Sequence, residues 1–213
     1  MKVQRFEFNM FGENTYVVWD EVTHEAAVID PGMVNAGEVK QFDMFIANNN
    51  LKLKYLLYTH LHVDHTFGHE HIAGMYKLEA TAHADETPLG IQRQGQARMF
   101  GLPSERLQAL SIGHRIADGE LLKLGDETIK ALLVPGHSPG SIAYYCPSDG
   151  MVFTGDALFH GSIGRTDLPG GNHQQLIHSI INKLLTLPDD TVVYPGHGPS
   201  TTIGYEKQMN PYL

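Results

Sequence analysis

Apolar and polar positions alternate over VQRFEFNMF near the start of the chain, and TYVVW and AAVIDPG follow as β-branched and apolar runs, the last closed by a turn. The first thirty residues therefore predict strands. From Asn35 to about Asn49 the spacing changes, with Val39, Phe42 and Phe45/Ile46 recurring at helical intervals. LKLKYLLYTH alternates and then becomes wholly apolar, the pattern of a buried strand, and its C-terminal end delivers the chain into HLHVDH. ATAHA predicts a further short strand. Thr87 to about Leu110 is more polar and predicts helix, interrupted at Gly101-Leu102-Pro103. In the second half, ELLKLGDETIKALLVPGH predicts two strands around a Gly125-Asp126 hairpin turn. SIAYYCP and GMVFTGD predict two more, Gln174 to Leu187 an amphipathic helix, and TVVYPGHG a last strand ending in a histidine loop. Two strand-rich halves predict a sandwich of two sheets with helices outside. No low-complexity stretch or linker divides the chain, so residues 1–213 read as a single domain.

Composition narrows the function classes. The chain is 42% hydrophobic and 18% charged, enough apolar material for a sizeable core. Its net charge of −9 repels phosphate backbones, which argues against nucleic acid as a partner. No apolar run is long enough to span a bilayer, and MKVQRFEFNMFGENTYVVW lacks the apolar region of a signal peptide. The single cysteine, Cys146, permits no internal disulfide and fits a reducing compartment. A cytoplasmic protein with a small-molecule partner and no membrane association is the expectation.

Four strands end alike. LLYTH runs into His60, His62, Asp64 and His65; LLVPGH ends at His137, VFTGD at Asp156 and VVYPGH at His197. Residues held on turns at the tips of a rigid sheet are where chemistry is usually placed. His60 and His62, two apart on an extended segment, point the same way, whereas Asp64 and His65 follow a turn and can face a second point nearby. Imidazole and carboxylate suit zinc, iron or manganese better than calcium or magnesium. Seven such groups are too many for one tetrahedral ion, but fit two ions that share a carboxylate.

THLHVDH, followed in order by His137, Asp156 and His197, resembles the HxHxDH signature and later ligands of the metallo-β-lactamase superfamily, over nearly the whole chain. The resemblance implies an α/β (α+β) architecture, the αββα sandwich of two mixed sheets flanked by helices, with metals at one edge. It implies that His60, His62 and His137 bind a first ion, that Asp64, His65 and His197 bind a second, and that Asp156 bridges them. Zinc is the implied metal, with iron or manganese as alternatives. FTGDALF and GSIGRTD are similar to the glyoxalase II group of thioester hydrolases (hydroxyacylglutathione hydrolases), and the bridging aspartate separates the chain from the true β-lactamases. Arg165 falls where that group places a basic contact to glutathione. Asp167 falls where it places an aromatic, and only sixteen residues follow His197, so no helical glutathione domain is expected.

The implied reaction is hydrolysis of a thioester of the S-lactoylglutathione type by a hydroxide held between two cations, with Asp64 aiming it. A thiol pKa near ~8.5 makes thiolate a good leaving group without a separate general acid. A mononuclear-iron persulfide dioxygenase is the rival enzyme, because GDAL and GRTD suit that group and Asp167 fits it better. A nuclease and a metal-binding module without turnover are further alternatives. His24, His69, His71, His83, His114, His160, His173 and His178 read as surface or structural, a helix from near Thr66 turning at least one of His69 and His71 away. Cys146 reads as a small buried residue. Met33, Met44, Phe42 and Phe45 read as core, and Gly161, Gly164, Gly170 and Gly171 as a flexible wall of the groove.

Overall fold

The alternation of the first thirty residues becomes three antiparallel strands, β1 (Lys2–Phe8), β2 (Glu13–Trp19) and β3 (Glu25–Ile29). They belong to a computed structural model that describes residues 1–102 and 104–213. Helix α1 (Ala36–Asn48) then crosses over to β4 (Lys52–Leu57), which lies parallel to β3. Asn35 caps α1, its side chain accepting from the amides of Gly37 at 2.9 Å and Glu38 at 3.1 Å. After α2 (His69–Tyr76), β5 (Ala80–Ala82), α3 (Thr87–Ile91) and α4 (Arg93–Met99), β6 (Ile112–Arg115) completes a six-stranded mixed sheet in the order β1 to β6.

A second mixed sheet starts with the hairpin of β7 (Leu121–Leu124) and β8 (Glu127–Leu133), which turns at Gly125-Asp126 as the sequence predicts. Strands β9 (Ile142–Cys146) and β10 (Met151–Gly155) extend it. The two-residue strands β11 (Leu158–Phe159) and β12 (Ser162–Ile163) pair only with each other. Helix α5 (His173–Ser179) runs into a wider π-type turn, Ile180–Leu184, and leads to β13 (Val192–Pro195), parallel to β10. β14 (Thr201–Thr202) and α6 (Ile203–Met209) close the chain, giving the order β14-β13-β10-β9-β8-β7.

Side chains of period two divide between two faces. On β2 and β3, Tyr16, Val18, Ala27 and Ile29 face the second sheet, where they meet Leu124, Ile129, Tyr144 and Phe153. Their neighbours Val17, Ala26 and Val28 face outward, against Phe42 and Ile46 of α1 and Ile72 of α2. The second sheet turns Leu132, Val152 and Val193 outward against Leu176, Ile180 and Leu184. The result is the αββα sandwich, each large buried apolar side chain contributing roughly 1.5–3 kcal/mol.

Three sequence expectations are corrected. Helix over Thr87 to Leu110 stops at Met99, where Phe100 caps it and Gly101 adopts a φ of +70°; Pro103 lies outside the described residues. The helix expected from near Thr66 begins three residues later, at His69, after a 3-10 turn over Val63–His65. Met44 is 51% exposed rather than core. At 100° per residue it points some 200° away from Phe42, which holds the buried stripe with Ile46.

Candidate metal centre

The ligand-bearing ends meet at one edge of the sandwich because the strands that carry them are held together there. The amide of Asp30, just past β3, donates to the carbonyl of Leu57 at 3.0 Å, and the amide of Ile142 on the other sheet donates to the carbonyl of Thr59 at 2.8 Å. Tyr144 donates its hydroxyl to the carbonyl of Tyr58 at 2.9 Å. Beyond β4 the chain bends at Thr59, is extended at His62, with a ψ of 149°, and then tightens into the turn of Val63–His65. That change from extended chain to turn aims His60 and His62 at one point, and Asp64 and His65 at another.

Glycine lets the other ends come close. A Cβ on Gly155, whose φ is +51°, would lie 2.3 Å from Thr59 Oγ1, and one on Gly196 would lie 2.2 Å from Asp156 Oδ1 and 2.8 Å from His65 Cε1. No larger residue fits at either turn.

Two clusters result. In the first, His137 Nε2 lies 2.9 Å from His62 Nδ1 and 3.3 Å from His60 Nε2. In the second, Asp64 Oδ2 lies 3.8 Å from His65 Nε2 and 3.4 Å from His197 Nε2. The ligand atoms within each cluster fall within 4.8 Å of one another. Asp156 stands between them: Oδ2 is 3.7 Å from His137 Nε2 and 3.6 Å from His197 Nε2, and Oδ1 is 3.4 Å from His65 Nε2. All seven residues singled out from the sequence are thus brought together.

The rings are aimed by what holds their other nitrogens. His60 Nδ1 contacts Thr59 Oγ1 at 3.0 Å, and His65 Nδ1 contacts Asp30 Oδ2 at 3.1 Å. His137 Nδ1 meets the carbonyl of Arg165 at 2.8 Å, and His197 Nδ1 meets the carbonyl of Phe11 at 3.2 Å. Nε2 is left for the centre in each of these four. Asp30, itself in the left-handed region at φ +50°, also accepts from the Thr59 amide at 2.7 Å and from its hydroxyl at 2.5 Å. Those bonds make it an orienter, although it also lies within ligand range of His60 and His65. Sequence reasoning missed it, yet AAVIDPG carries the same signal as the ligand strands, an apolar run ending in an acid at a turn.

Glu86 was also missed. Its buried carboxylate accepts from the Leu61 amide at 2.8 Å, from Ser138 Oγ at 2.6 Å and from the Gly140 amide at 2.7 Å. Burial raises its carboxyl above the usual range, against the pull of those donors. It ties the loop between His60 and His62 to the loop after His137, and nothing in ADETPLG announces this.

The electrostatics suit cations. Burial, and then the neighbouring His65, holds the His60 imidazole well below its ordinary range, and burial with His137 pushes His62 down to about 3. Neutral imidazole is the ligating form. Burial opposes charge on His65 too, but the carboxylates of Asp156 and Asp64 outweigh it and raise the ring. Burial opposes ionisation of Asp156, yet the charge of His65, 3.4 Å away, holds its carboxyl well below the usual range. Positive charge is favoured between the acids. His65 Nε2 and Asp156 Oδ1 are buried and without a hydrogen-bond partner, an arrangement that a shared cation would satisfy. The donor set therefore fits transition-metal ions.

The clusters open into a groove of about 470 Å³, walled by Phe11, Leu89, Phe100, Arg165 and Leu168 among others. Arg165 is at the groove, but its guanidinium is engaged: Nε and Nη2 each donate to Asp167 at 2.7 Å. His69 and His71 point elsewhere, His69 Nδ1 meeting Tyr58 Oη at 3.0 Å and His71 Nε2 meeting Asp43 at 2.9 Å. Cys146 is buried within the sandwich. No helix among the described residues is long and apolar enough to cross a membrane.

Comparison with known proteins places the whole chain. Hydroxyacylglutathione hydrolase GloC of Haemophilus influenzae is 37% identical over 215 residues, spanning 100% of this chain and 98% of the relative. The solved structure of the BLEG-1 B3 metallo-beta-lactamase superposes with a TM-score of 0.90 at 34% identity, covering 100% of this chain and 99% of its own. TTHA1623 in a di-iron-bound form superposes with a TM-score of 0.86 at 34% identity, covering 99% of this chain and 100% of its own. A sequence model of the Metallo-beta-lactamase superfamily matches residues 9–197, a span that ends on the last candidate ligand. The chain belongs to the metallo-beta-lactamase superfamily.

Proposed function

We propose that this metallo-hydrolase cleaves thioesters, with S-lactoylglutathione as the reference substrate, and holds two divalent ions per chain, zinc first and iron or manganese in its place. The position of Asp156 carries the reading, since one carboxylate faces both His137 and His197 at 3.7 and 3.6 Å. The first ion would take His60, His62 and His137, the second Asp64, His65 and His197, and Asp156 would serve both. Full-length likeness to a hydroxyacylglutathione hydrolase supports the thioester, and a lone buried cysteine supports a cytoplasmic setting.

Bound there, the cations supply a Lewis acid at the carbonyl oxygen and bring the pKa of a water towards neutrality. Asp64 lines the groove beside His197. Burial resists its ionisation, but His65 and the contact with His197 hold its carboxyl below the usual range. As a carboxylate it accepts a hydrogen bond from the attacking water at Oδ2 and aims it at the carbonyl carbon. The thiolate leaves unaided, its conjugate pKa being near ~8.5. Arg165 marks the end of the groove where a substrate carboxylate would compete with Asp167 for the guanidinium.

Elemental analysis of the native protein, followed by a panel of thioesters with a cephalosporin as comparator, tests the proposal. Two ions per chain and thioester turnover are expected, with Asp64→Asn lowering kcat at least ~10²-fold, the scale of losing one electrostatic stabiliser. A single ion however the protein is loaded, or near-wild-type turnover by Asp64→Asn, would refute it. A second reading, a mononuclear-iron persulfide dioxygenase, is favoured by the Arg165–Asp167 pair, which puts an acid where glyoxalase II carries an aromatic. Oxygen consumption with a persulfide and one iron per chain would select it.

A further inference from the structure

The two ends of the groove differ in chemistry. At the end beside His137, the Arg165 carbonyl holds the ring at 2.8 Å, while the exposed guanidinium is paired with Asp167 through two bonds of 2.7 Å. Arg165 is the one Lys or Arg among the described residues lining this groove, so an anionic tail meets no unpaired positive side chain there. At the end beside His197, the Phe11 carbonyl holds the ring at 3.2 Å, and the Phe11 side chain meets Phe100 edge to face, centroids 5.5 Å apart. Phe11 is 37% exposed, Phe100 44% and Met99 68%, a cluster of large apolar groups open to the same cavity as the candidate ligands.

Of the two glutamines that line the groove, Gln92 is exposed and Gln96 is already engaged. Gln96 Oε1 accepts from the Val63 amide at 3.0 Å, and its Nε2 donates to the Leu89 carbonyl at 2.9 Å. Gln96 therefore presents its apolar stem to the groove rather than an amide looking for a ligand. An exposed apolar cluster within a cavity of about 470 Å³ has the composition and size of a small-molecule site, ~300–1,000 Å³ and mostly apolar.

We infer that the aromatic end is a specificity pocket for an uncharged alkyl or aryl substituent of the thioester, and that the preferred substrates are apolar thioesters of small neutral thiols rather than thioesters of an ionised peptide. Phe11 and Phe100 grip the substituent, and Met99 adapts to its length. The inference rests on the thioester-hydrolase reading and names its substrate class.

Two substrate series test it on the metal-loaded protein. In one, the acyl chain grows from acetyl to butanoyl to hexanoyl on N-acetylcysteamine; in the other, acetyl is kept while the thiol changes among N-acetylcysteamine, phenylmethanethiol and glutathione. The first shows whether the acyl side enters the pocket, the second whether the thiol side does. In the series that enters, kcat/KM should rise roughly fourfold per buried methylene, and S-acetylglutathione should be the poorest of the acetyl thioesters. Phe100→Ala and Phe11→Ala should each flatten the rise, the latter while keeping the backbone carbonyl that meets His197. Flat dependence in both series, an undiminished rise in both variants, or preference for S-acetylglutathione overturns the inference while leaving the hydrolase reading intact. If no thioester is hydrolysed, the hydrolase reading fails, and calorimetry with thioether analogues of the same lengths reads the pocket separately. Affinity that grows with length and a negative heat-capacity change would support the pocket; equal or absent binding would overturn it.

Discussion

Replacing Glu86 by alanine should loosen the His60–His62–His137 cluster without removing a ligand. The carboxylate accepts from the Leu61 amide at 2.8 Å, the Gly140 amide at 2.7 Å and Ser138 Oγ at 2.6 Å. Ser138 has a second partner in Ser141 Oγ at 2.6 Å, so alanine strands two backbone N–H groups rather than three donors. At ~1–3 kcal/mol for each buried donor left unmet, the loss of stability is ~2–6 kcal/mol. Glu86→Gln keeps the shape and can keep the oxygen facing Ser138 and Gly140, but sets an amide NH2 against the Leu61 N–H, which costs ~1–3 kcal/mol. Because Leu61 lies between two ligands and Ser138 follows a third, metal affinity should fall too, by the ~10–100-fold typical of disturbed outer partners. Urea unfolding measures the first effect and competition with a chelator the second. The expected titration has two steps, one ion released early and the other held as in the wild type. Equal weakening of both ions, or none with less than about 1 kcal/mol of destabilisation, would show that Glu86 does not position this cluster.

Asp156→Ala should remove most of the metal from both sites, read by elemental analysis after dialysis; full retention of one ion would refute the bridge. Asp167→Ala frees the Arg165 guanidinium, so KM for S-lactoylglutathione should drop severalfold, whereas Arg165→Ala should raise that KM more than it lowers kcat, because a remote ion contact is felt about equally in ground and transition states. An Arg165→Ala enzyme with unchanged KM and a large fall in kcat would exclude the anchor role. Burial pushes the Cys146 thiol up to about 12, so a thiol reagent at pH 8 should label the protein only after unfolding; rapid labelling of the native protein would contradict the placement of Cys146 in the core.

Sequence pattern carried far here because strand ends advertise themselves. An apolar run, a glycine turn and one ligand recur at His137, Asp156 and His197, and the glycines are required by contacts visible only in three dimensions, such as Gly196 against Asp156 Oδ1. Asp30 shares the signal but reads from the sequence as part of a turn, because its partners Thr59 and His65 reach it only through the parallel pairing of β3 with β4. Glu86 carries no signal at all, since two of its three hydrogen-bond donors lie 52 to 54 residues further along the chain. The polar stretch from Thr87 reads as helix beyond Met99, where the helix ends, because polarity alone does not distinguish a solvated helix from a solvated loop. Met44 was misplaced for a simpler reason: it sits two residues from both Phe42 and Ile46, on the far side of the helical wheel.

The same two residues touch a candidate ligand ring and the groove, but through different atoms. Phe11 gives its carbonyl to His197 and its ring to the groove; Arg165 gives its carbonyl to His137 and its guanidinium to Asp167 at the other end. A side-chain substitution at either position leaves the carbonyl in place, so the groove can change its preference while the ligand rings stay aimed. Changes that move the main chain have no such freedom. An insertion between Asn9 and Gly12, or between Gly164 and Asp167, displaces an orienting carbonyl and with it the tautomer and direction of a ligand histidine. Under the proposed metal assignment, a change of specificity on this scaffold is therefore easier by substitution than by loop length, a consequence of orienting His137 and His197 through the backbone rather than through side chains.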